Sequence, residues 1–298
     1  MKVIVLLSSY NGEKYIEQQI QSILNQTIHC DLLVRDDGSS DGTINILKQY
    51  QAEGRLLWYS GNNLGPSESF FNLIRTAGPA DYYALADQDD VWELNKIESA
   101  VRKLENVEGP KLYFCKRKIV DQYLNPIDVA NTRVISVDPG TSLIEGIAYG
   151  CTMVFDYKTK EMIESFKRDH FDYMHDAFIY RLISLCGNVI YDSTPYIRYR
   201  QHSHNVVGHE LTGLKRWKAR FLNLPKRKAS RTRSDCAKDI YINFKDKVNT
   251  KYIQLLYNFA FAPEKLTCRL KICLFPGLHT QHPFNILFLK VFIILGWI

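Results

Sequence analysis

The chain has no C-x-x-C pair, no run of eighteen apolar residues, and neither an internal repeat nor a low-complexity tract. Its seven cysteines, at 30, 115, 151, 186, 236, 268 and 273, leave one over if bridged. That argues against a disulfide framework and for a reducing, cytosolic compartment. A membrane-spanning helix needs about 20 apolar residues, so none is expected. A secretory leader is not expected either, because Lys2 is followed by only five apolar residues before Ser8, Ser9 and Tyr10 turn polar. Val3 to Leu7 reads instead as a buried first strand.

Disorder is excluded by a balance of 46% hydrophobic and 23% charged residues over 298 positions. That length suits one catalytic domain of about 200–250 residues with an appendage. Charge divides the chain unevenly. Residues 1–210 carry 21 basic and 28 acidic side chains, net −7, whereas residues 211–251 carry 13 and 3, net +10. We therefore expect a catalytic domain over 1–210 and a helical, basic extension over 211–298.

Strand-like and helix-like segments alternate through the first half, the pattern of a largely parallel sheet with covering helices. Strands are expected near 2–8, 31–36, 55–59, 82–86 and 111–116, and helices near 13–25, 42–53, 67–77 and 94–106. Ile16, Ile20, Ile23 and Leu24 recur at helical spacing. A strand-rich stretch over 117–156 follows, then helices near 157–167 and 176–186 and a strand or two over 188–200. The segment from Leu211 has amphipathic helical spacing. Phe284 to Ile298 is almost wholly apolar, and it reads as an interfacial helix ending in Trp297.

Three polar loops each follow a strand. Asp87-Gln88-Asp89-Asp90 places three carboxylates in four residues where an open α/β sheet binds ligands. A hard divalent cation bridging to phosphate oxygens would relieve their repulsion; a solvated, helix-capping turn is the alternative. Asp36 to Thr43 opens a helix, and Asp37 at a strand end could accept the N3–H of a uracil or thymine ring, although Asp, Gly and Ser also make turns and caps unaided. Ser8-Ser9-Tyr10-Asn11 could meet a base or ribose, or form an ordinary turn. The repeated strand, polar loop, helix pattern, with all three loops on one sheet edge, says more than any loop alone.

With those residues in view, the chain resembles the family 2 glycosyltransferases of GT-A fold, near the bacterial rhamnosyltransferase-like members that build polysaccharides. The likeness rests on SSYNGEKYIEQQIQSI from Ser8, DDGSSDGT from Asp36, ADQDDVW from Ala86 and RQHSHN from Arg200, and it covers about residues 1–210. It implies a Rossmann-like, mostly parallel mixed sheet with flanking helices. It also implies a nucleotide site of Ser8, Tyr10, Asp37 and Asp87, with Asp89 as the ligand of Mn²⁺ or Mg²⁺. His202, and less well His204, fall where related enzymes bring a loop over the diphosphate. Asp176, in Met174-His175-Asp176, matches the general base of an inverting displacement; His175 stands where relatives often carry a second acid, and Asp176 as a plain helix cap is the alternative. Gly146 to Cys151, with Tyr149 and Gly150, matches the acceptor side.

The implied reaction moves a hexosyl or deoxyhexosyl group from a UDP- or dTDP-sugar to a hydroxyl of a growing, lipid-linked cell-surface glycan. The basic tail carries no RNA-reading or groove-reading pattern, so nucleic acid is not expected. Attraction to anionic lipid is simpler, which places the protein in the cytoplasm at the inner face of the membrane. A non-catalytic nucleotide- or glycan-binding module, or a nucleotidyltransferase, remains the alternative from other classes.

Overall fold

The structure is a computed structural model that describes residues 1–127, 136–166, 168, 173–202, 232–278, 280 and 285–297. Its chain divides into two compact units: 1–130 with 148–183 and 187–200, and 131–147 with 184–186 and 201–298.

The first unit is built on one sheet. Its strands are β1 (Val3–Ser9), β2 (Asp31–Asp36), β3 (Leu57–Ser60), β4 (Tyr82–Ala86), β5 (Val91–Trp92), β6 (Lys111–Val120), β7 (Met153–Asp156) and β8 (Asn188–Arg200), in the order β3-β2-β1-β4-β7-β6-β8-β5. Among the described residues, β1–β2, β1–β4, β2–β3 and β6–β8 run parallel, while β4–β7, β6–β7 and β5–β8 run antiparallel. The sheet is thus mixed, and the expected first four strands lie within two residues of their observed bounds. The region expected to hold one or two strands after residue 188 is a single 13-residue strand, continued through irregular register at Cys115 to Arg117.

Helices α1 (Ile16–Leu24), α2 (Thr43–Ala52), α3 (Gly65–Thr76) and α4 (Lys96–Leu104) follow the first four long strands. The residues of β1 from Val3 to Leu7 are buried throughout, as a strand covered on both faces requires. Helix α1 buries Ile16, Ile20 and Ile23, the stripe its spacing foretold. Successive elements run β1 to β2 and β3 on one side, then cross β1 to reach β4 on the other. That reversal opens a crevice outside the carboxyl ends of β1 and β4. Helices α6 (Tyr157–Ser165) and α7 (His175–Cys186) come later in the chain, α6 capped by the Asp156 side chain accepting the Thr159 N–H at 3.0 Å.

The second unit holds α5 (Pro139–Ile144), α8 (Thr232–Phe244), α9 (Thr250–Phe261), α10 (Leu266–Leu274) and α11 (Asn285–Ile294). Tyr241 of α8 packs edge-on against Tyr257 and Phe261 of α9. Arg269 donates to the Ala262, Pro263 and Ile294 carbonyls, fastening α10 between its neighbours. The amphipathic basic segment expected from Leu211, and His204, lie outside the described residues.

Candidate nucleotide and acidic site at the sheet edge

The loops after β1 and β2 are zipped together by side chain to backbone bonds. The Asn11 N–H donates to Ser39 Oγ at 2.8 Å, and Asn11 Oδ1 accepts the Ser40 N–H at 2.8 Å. Asn11 takes φ 48°, a left-handed conformation that asparagine tolerates better than most residues. The Gly12 N–H reaches Thr43 Oγ1 at 2.8 Å, and the Gly42 N–H reaches Glu13 Oε2 at 2.9 Å. A third loop joins them through Gln88, whose amide accepts the Tyr10 N–H at 2.8 Å and donates to the Tyr10 carbonyl at 3.0 Å. A Cβ on Gly12 would lie 2.2 Å from Gln88 Oε1, so only glycine admits this pairing. With its peptide held in this way, Tyr10 leaves its ring 47% exposed.

Asp36, which ends β2, and Asp37, which follows it, are buried and well supplied with donors. Asp36 accepts from Ser9 Oγ, Ser39 Oγ and the Gly38 and Ser39 N–H groups. Asp37 pairs with the buried Arg35 guanidinium and accepts the N–H groups of Leu64 and Gly65, both at 2.9 Å, where α3 begins. Arg35 also donates to Ser69 Oγ at 3.0 Å, and Ser69 Oγ lies 2.7 Å from Ser8 Oγ. Ser8 and Asp37, expected together from the sequence, are thus joined through Ser69 and Arg35, two residues that carried no signal of their own.

After β4 the acids stand differently. Asp87 and Asp90 come together with Cys151, their ligand-capable atoms all within 4.8 Å of one another. Asp90 is fully buried; its Oδ1 accepts the Arg200 N–H at 3.1 Å, while its Oδ2 has no hydrogen-bond partner among the described residues. Burial, and then the charges of Asp89 and Asp87, hold the Asp90 proton well above the usual carboxylate range. Burial, then Asp89, then Asp176 push Asp87 up to about 7. Burial likewise lifts the Cys151 thiol well above its ordinary value, so the sulfur stays protonated. Asp89, the ligand implied by the resemblance, is not a member of this cluster among the described residues, although both cluster carboxylates feel its charge. His202 lies two residues beyond β8 and is also outside the cluster.

Two cations frame these acids. Arg200 ends β8 and donates to the Asp89 carbonyl at 2.7 Å, the Gln122 carbonyl at 2.6 Å and Gln18 Oε1 at 2.5 Å, which fixes the acid loop from behind. Lys96 is fully buried with its Nζ 3.2 Å from the Trp92 ring centroid and without a hydrogen-bond partner among the described residues. Burial brings its ammonium down to about 8, against the opposing pull of Cys115, Cys151 and Asp90. Lys96 did not stand out in the sequence, because a lone basic residue in a helix ordinarily reads as surface, and Arg200 opened a motif that was singled out for its histidines. Cys151 belonged to a segment that was singled out, but for its glycines and tyrosine.

Asp176 lies in the first turn of α7. Its Oδ2 accepts the Gly150 N–H at 3.3 Å and its Oδ1 accepts the Ala177 N–H at 2.6 Å. Its charge reaches Asp87, which puts Asp176 near the acid cluster. Tyr149, beside Gly150, carries the Arg117 guanidinium 3.2 Å over its ring, and Tyr199 takes the other contact at 4.4 Å.

The model of the family described as glycosyl transferase family 2 matches residues 4–122. A dTDP-rhamnosyl transferase of Shigella flexneri, RfbG, is 29% identical over 239 residues, spanning 73% of this chain and 78% of that one. A crystal structure of S. aureus TarS 1-349 in complex with UDP-GlcNAc superposes with a TM-score of 0.60 at 15% identity, covering 100% of this chain and 91% of that one. Mannosyltransferase PcManGT from Pyrobaculum calidifontis, in complex with GDP-Man and Mn²⁺, gives 0.52 at 16% identity over 97% and 79%. These two structures share the GT-A fold with this chain.

Proposed function

We propose that this chain, whose residues 4–122 match the model of glycosyl transferase family 2, transfers a deoxyhexosyl or hexosyl group from a dTDP- or UDP-sugar to a hydroxyl of a growing, lipid-linked cell-surface glycan. The observation that carries the reading is the pair Asp87 and Asp90, brought together at the strand-end crevice with one buried carboxylate oxygen left unpaired. Leaving such an oxygen unmet costs about 1–3 kcal/mol, which a ligand offsets. The donor lean toward dTDP-L-rhamnose is supported by the name of the Shigella relative.

Ser8, Tyr10 and Asp37 hold the nucleotide in this reading. Asp37 has about four lone-pair sites, three of them filled by Arg35, Leu64 and Gly65, which leaves one for a ring N3–H. Tyr10 offers its exposed ring face. Asp87 and Asp90 suit Mn²⁺ or Mg²⁺, which take oxygen ligands; the protonated Cys151 thiol contributes little to a hard ion. Asp89 adds its charge to theirs, and His202 is the weaker candidate ligand. A divalent cation held there supplies neutralisation of the diphosphate as it departs. Asp176 removes the proton of the attacking hydroxyl, fixed in place by Gly150, and Tyr149 and Gly150 border the acceptor.

We place the protein in the cytoplasm, at the inner face of the cell membrane, with residues 211–298 as its lipid-contacting extension. Among the described residues no helix is long and apolar enough to cross a membrane. Helix α10 nevertheless exposes Leu266, Leu270 and Leu274 at four-residue spacing, and α11 with the residue after it exposes Leu287, Val291 and Leu295 in the same way. Such stripes, next to Lys265, Lys271 and Lys290, suit an anionic lipid surface.

The test is Asp176→Asn with a dTDP- or UDP-sugar donor. Donor binding stays near wild type while transfer falls by about 10²–10⁴-fold. Wild-type transfer in that variant removes Asp176 as the base.

A further inference from the structure

His175 directly precedes Asp176 and is among the most buried polar side chains in its unit, with 3% exposure. Neither ring nitrogen has a hydrogen-bond partner among the described residues. Its ring stacks on Phe70 of α3 with centroids 4.2 Å apart and planes at 30°. A phenylalanine would make that stack equally well and would leave no orphaned nitrogens, so packing alone does not account for an imidazole here.

The other neighbour of the ring is Gly150. A Cβ placed there would lie 2.6 Å from His175 Nε2, so the imidazole occupies the space a side chain would need. Gly150 is also the residue whose N–H holds Asp176 Oδ2 at 3.3 Å. His175 and the Asp176 carboxylate therefore abut the same residue, one against its missing side chain and one at its amide. Burial lowers the affinity of the imidazole for a proton, and Asp176 opposes this only in part, which leaves a ring nitrogen with a lone pair.

Resting on the reading of Asp176 as base, we infer that His175 is a positioning residue for it: the imidazole holds the Gly150 turn against the carboxylate and offers its acceptor nitrogen to the carboxyl once that group is protonated. During transfer the acceptor O–H bond breaks and a bond forms from that oxygen to the sugar carbon. The bond from the sugar to the diphosphate oxygen breaks, and the proton passes to Asp176. A carboxylate that only accepted becomes a donor. The nitrogen unpaired before the reaction gains its partner as the proton arrives, so the interaction favours the later stage over the starting state.

The experiment compares two pairs of variants in the full chain, with thermal unfolding and kcat and KM for the donor measured on each. His175→Phe keeps the stack and removes both nitrogens; we expect an unchanged or higher Tm, a donor KM within twofold of wild type and kcat reduced about tenfold. His175→Gln and His175→Met are alike in length, and only glutamine keeps a polar end; we expect Gln to retain severalfold more kcat than Met. Wild-type kcat in His175→Phe overturns the inference whatever its Tm. Equal kcat in Gln and Met overturns it too, and that pair decides the matter alone if the phenylalanine variant does not fold. Asp176→Asn, run alongside, separates the two readings: full transfer there sinks the base itself, whereas a dead Asp176→Asn with fully active His175 variants sinks only the role given to His175.

Discussion

Two pairs of aspartates flank the central strand β1, one at the end of β2 and one after β4, and their surroundings differ. Asp36 and Asp37 have every near neighbour that a buried carboxylate requires: hydroxyls, amides and the Arg35 guanidinium. Asp87 and Asp90 face one another, Asp89 and a protonated thiol, and one of their oxygens has no partner. The first pair has its charge met as the protein stands, with one lone-pair site on Asp37 left over. The second is complete only with something added. Acidic residues in strand-end loops look alike in a sequence; what separates an acid already compensated by the fold from one that needs a cation is the supply of donors around each carboxylate.

The sharpest way to break this contrast is to remove a satisfied acid. Asp37→Ala leaves Arg35 buried without its counter-charge, and we expect a loss of about 3–5 kcal/mol in urea unfolding. A loss under 1 kcal/mol would show the pair to be dispensable. Asp90→Asn should do the opposite: stability at or above wild type, since an unpaired buried carboxylate is relieved, with transfer down about a hundredfold or more through loss of charge neutralisation.

A third prediction uses pH. Asp87 keeps its proton in the folded protein up to about 7, whereas an unfolded chain releases it near 4. The folded state therefore binds more protons between those values, and this group's contribution to stability falls as pH rises from about 4 to 7. Asp87→Asn should flatten that part of the profile and raise Tm more at pH 8 than at pH 5. Divalent-ion affinity should tighten from pH 6 to pH 8 in the wild type, as titration calorimetry would register. The smallest effect is expected at the stitch between loops: Gln88→Ala removes two bonds to Tyr10 and should cost about 1 kcal/mol, with a weaker donor KM.

Much of this was legible in the sequence, for identifiable reasons. Apolar alternation and Gly- and Asp-rich turns marked β1 to β4 and their helices within a few residues, because each element is local and each loop needs particular turn chemistry. Short β5 and β7, and the antiparallel pairing of β7 with β4 and β6, were not legible, since they depend on partners far away in the chain. The acid loop and Asp176 were singled out in the sequence, and the structure brings them near one another. The membership of the acid cluster was not legible: Asp90 and Cys151 face each other across 61 positions, and Asp90 in isolation looks like a helix cap. Lys96, Arg35 and Ser69 were invisible for the same reason, each acquiring its meaning from a buried neighbour.

The central claim is that the acids after β4 hold a cation that the donor diphosphate uses. Titration calorimetry of UDP and dTDP into the wild type and Asp87→Asn, in Mn²⁺ and again in excess chelator, tests it most directly. Nucleotide binding that is strong with Mn²⁺, and lost both in chelator and in the variant, is the predicted result. Equal affinity in all four conditions would contradict the account.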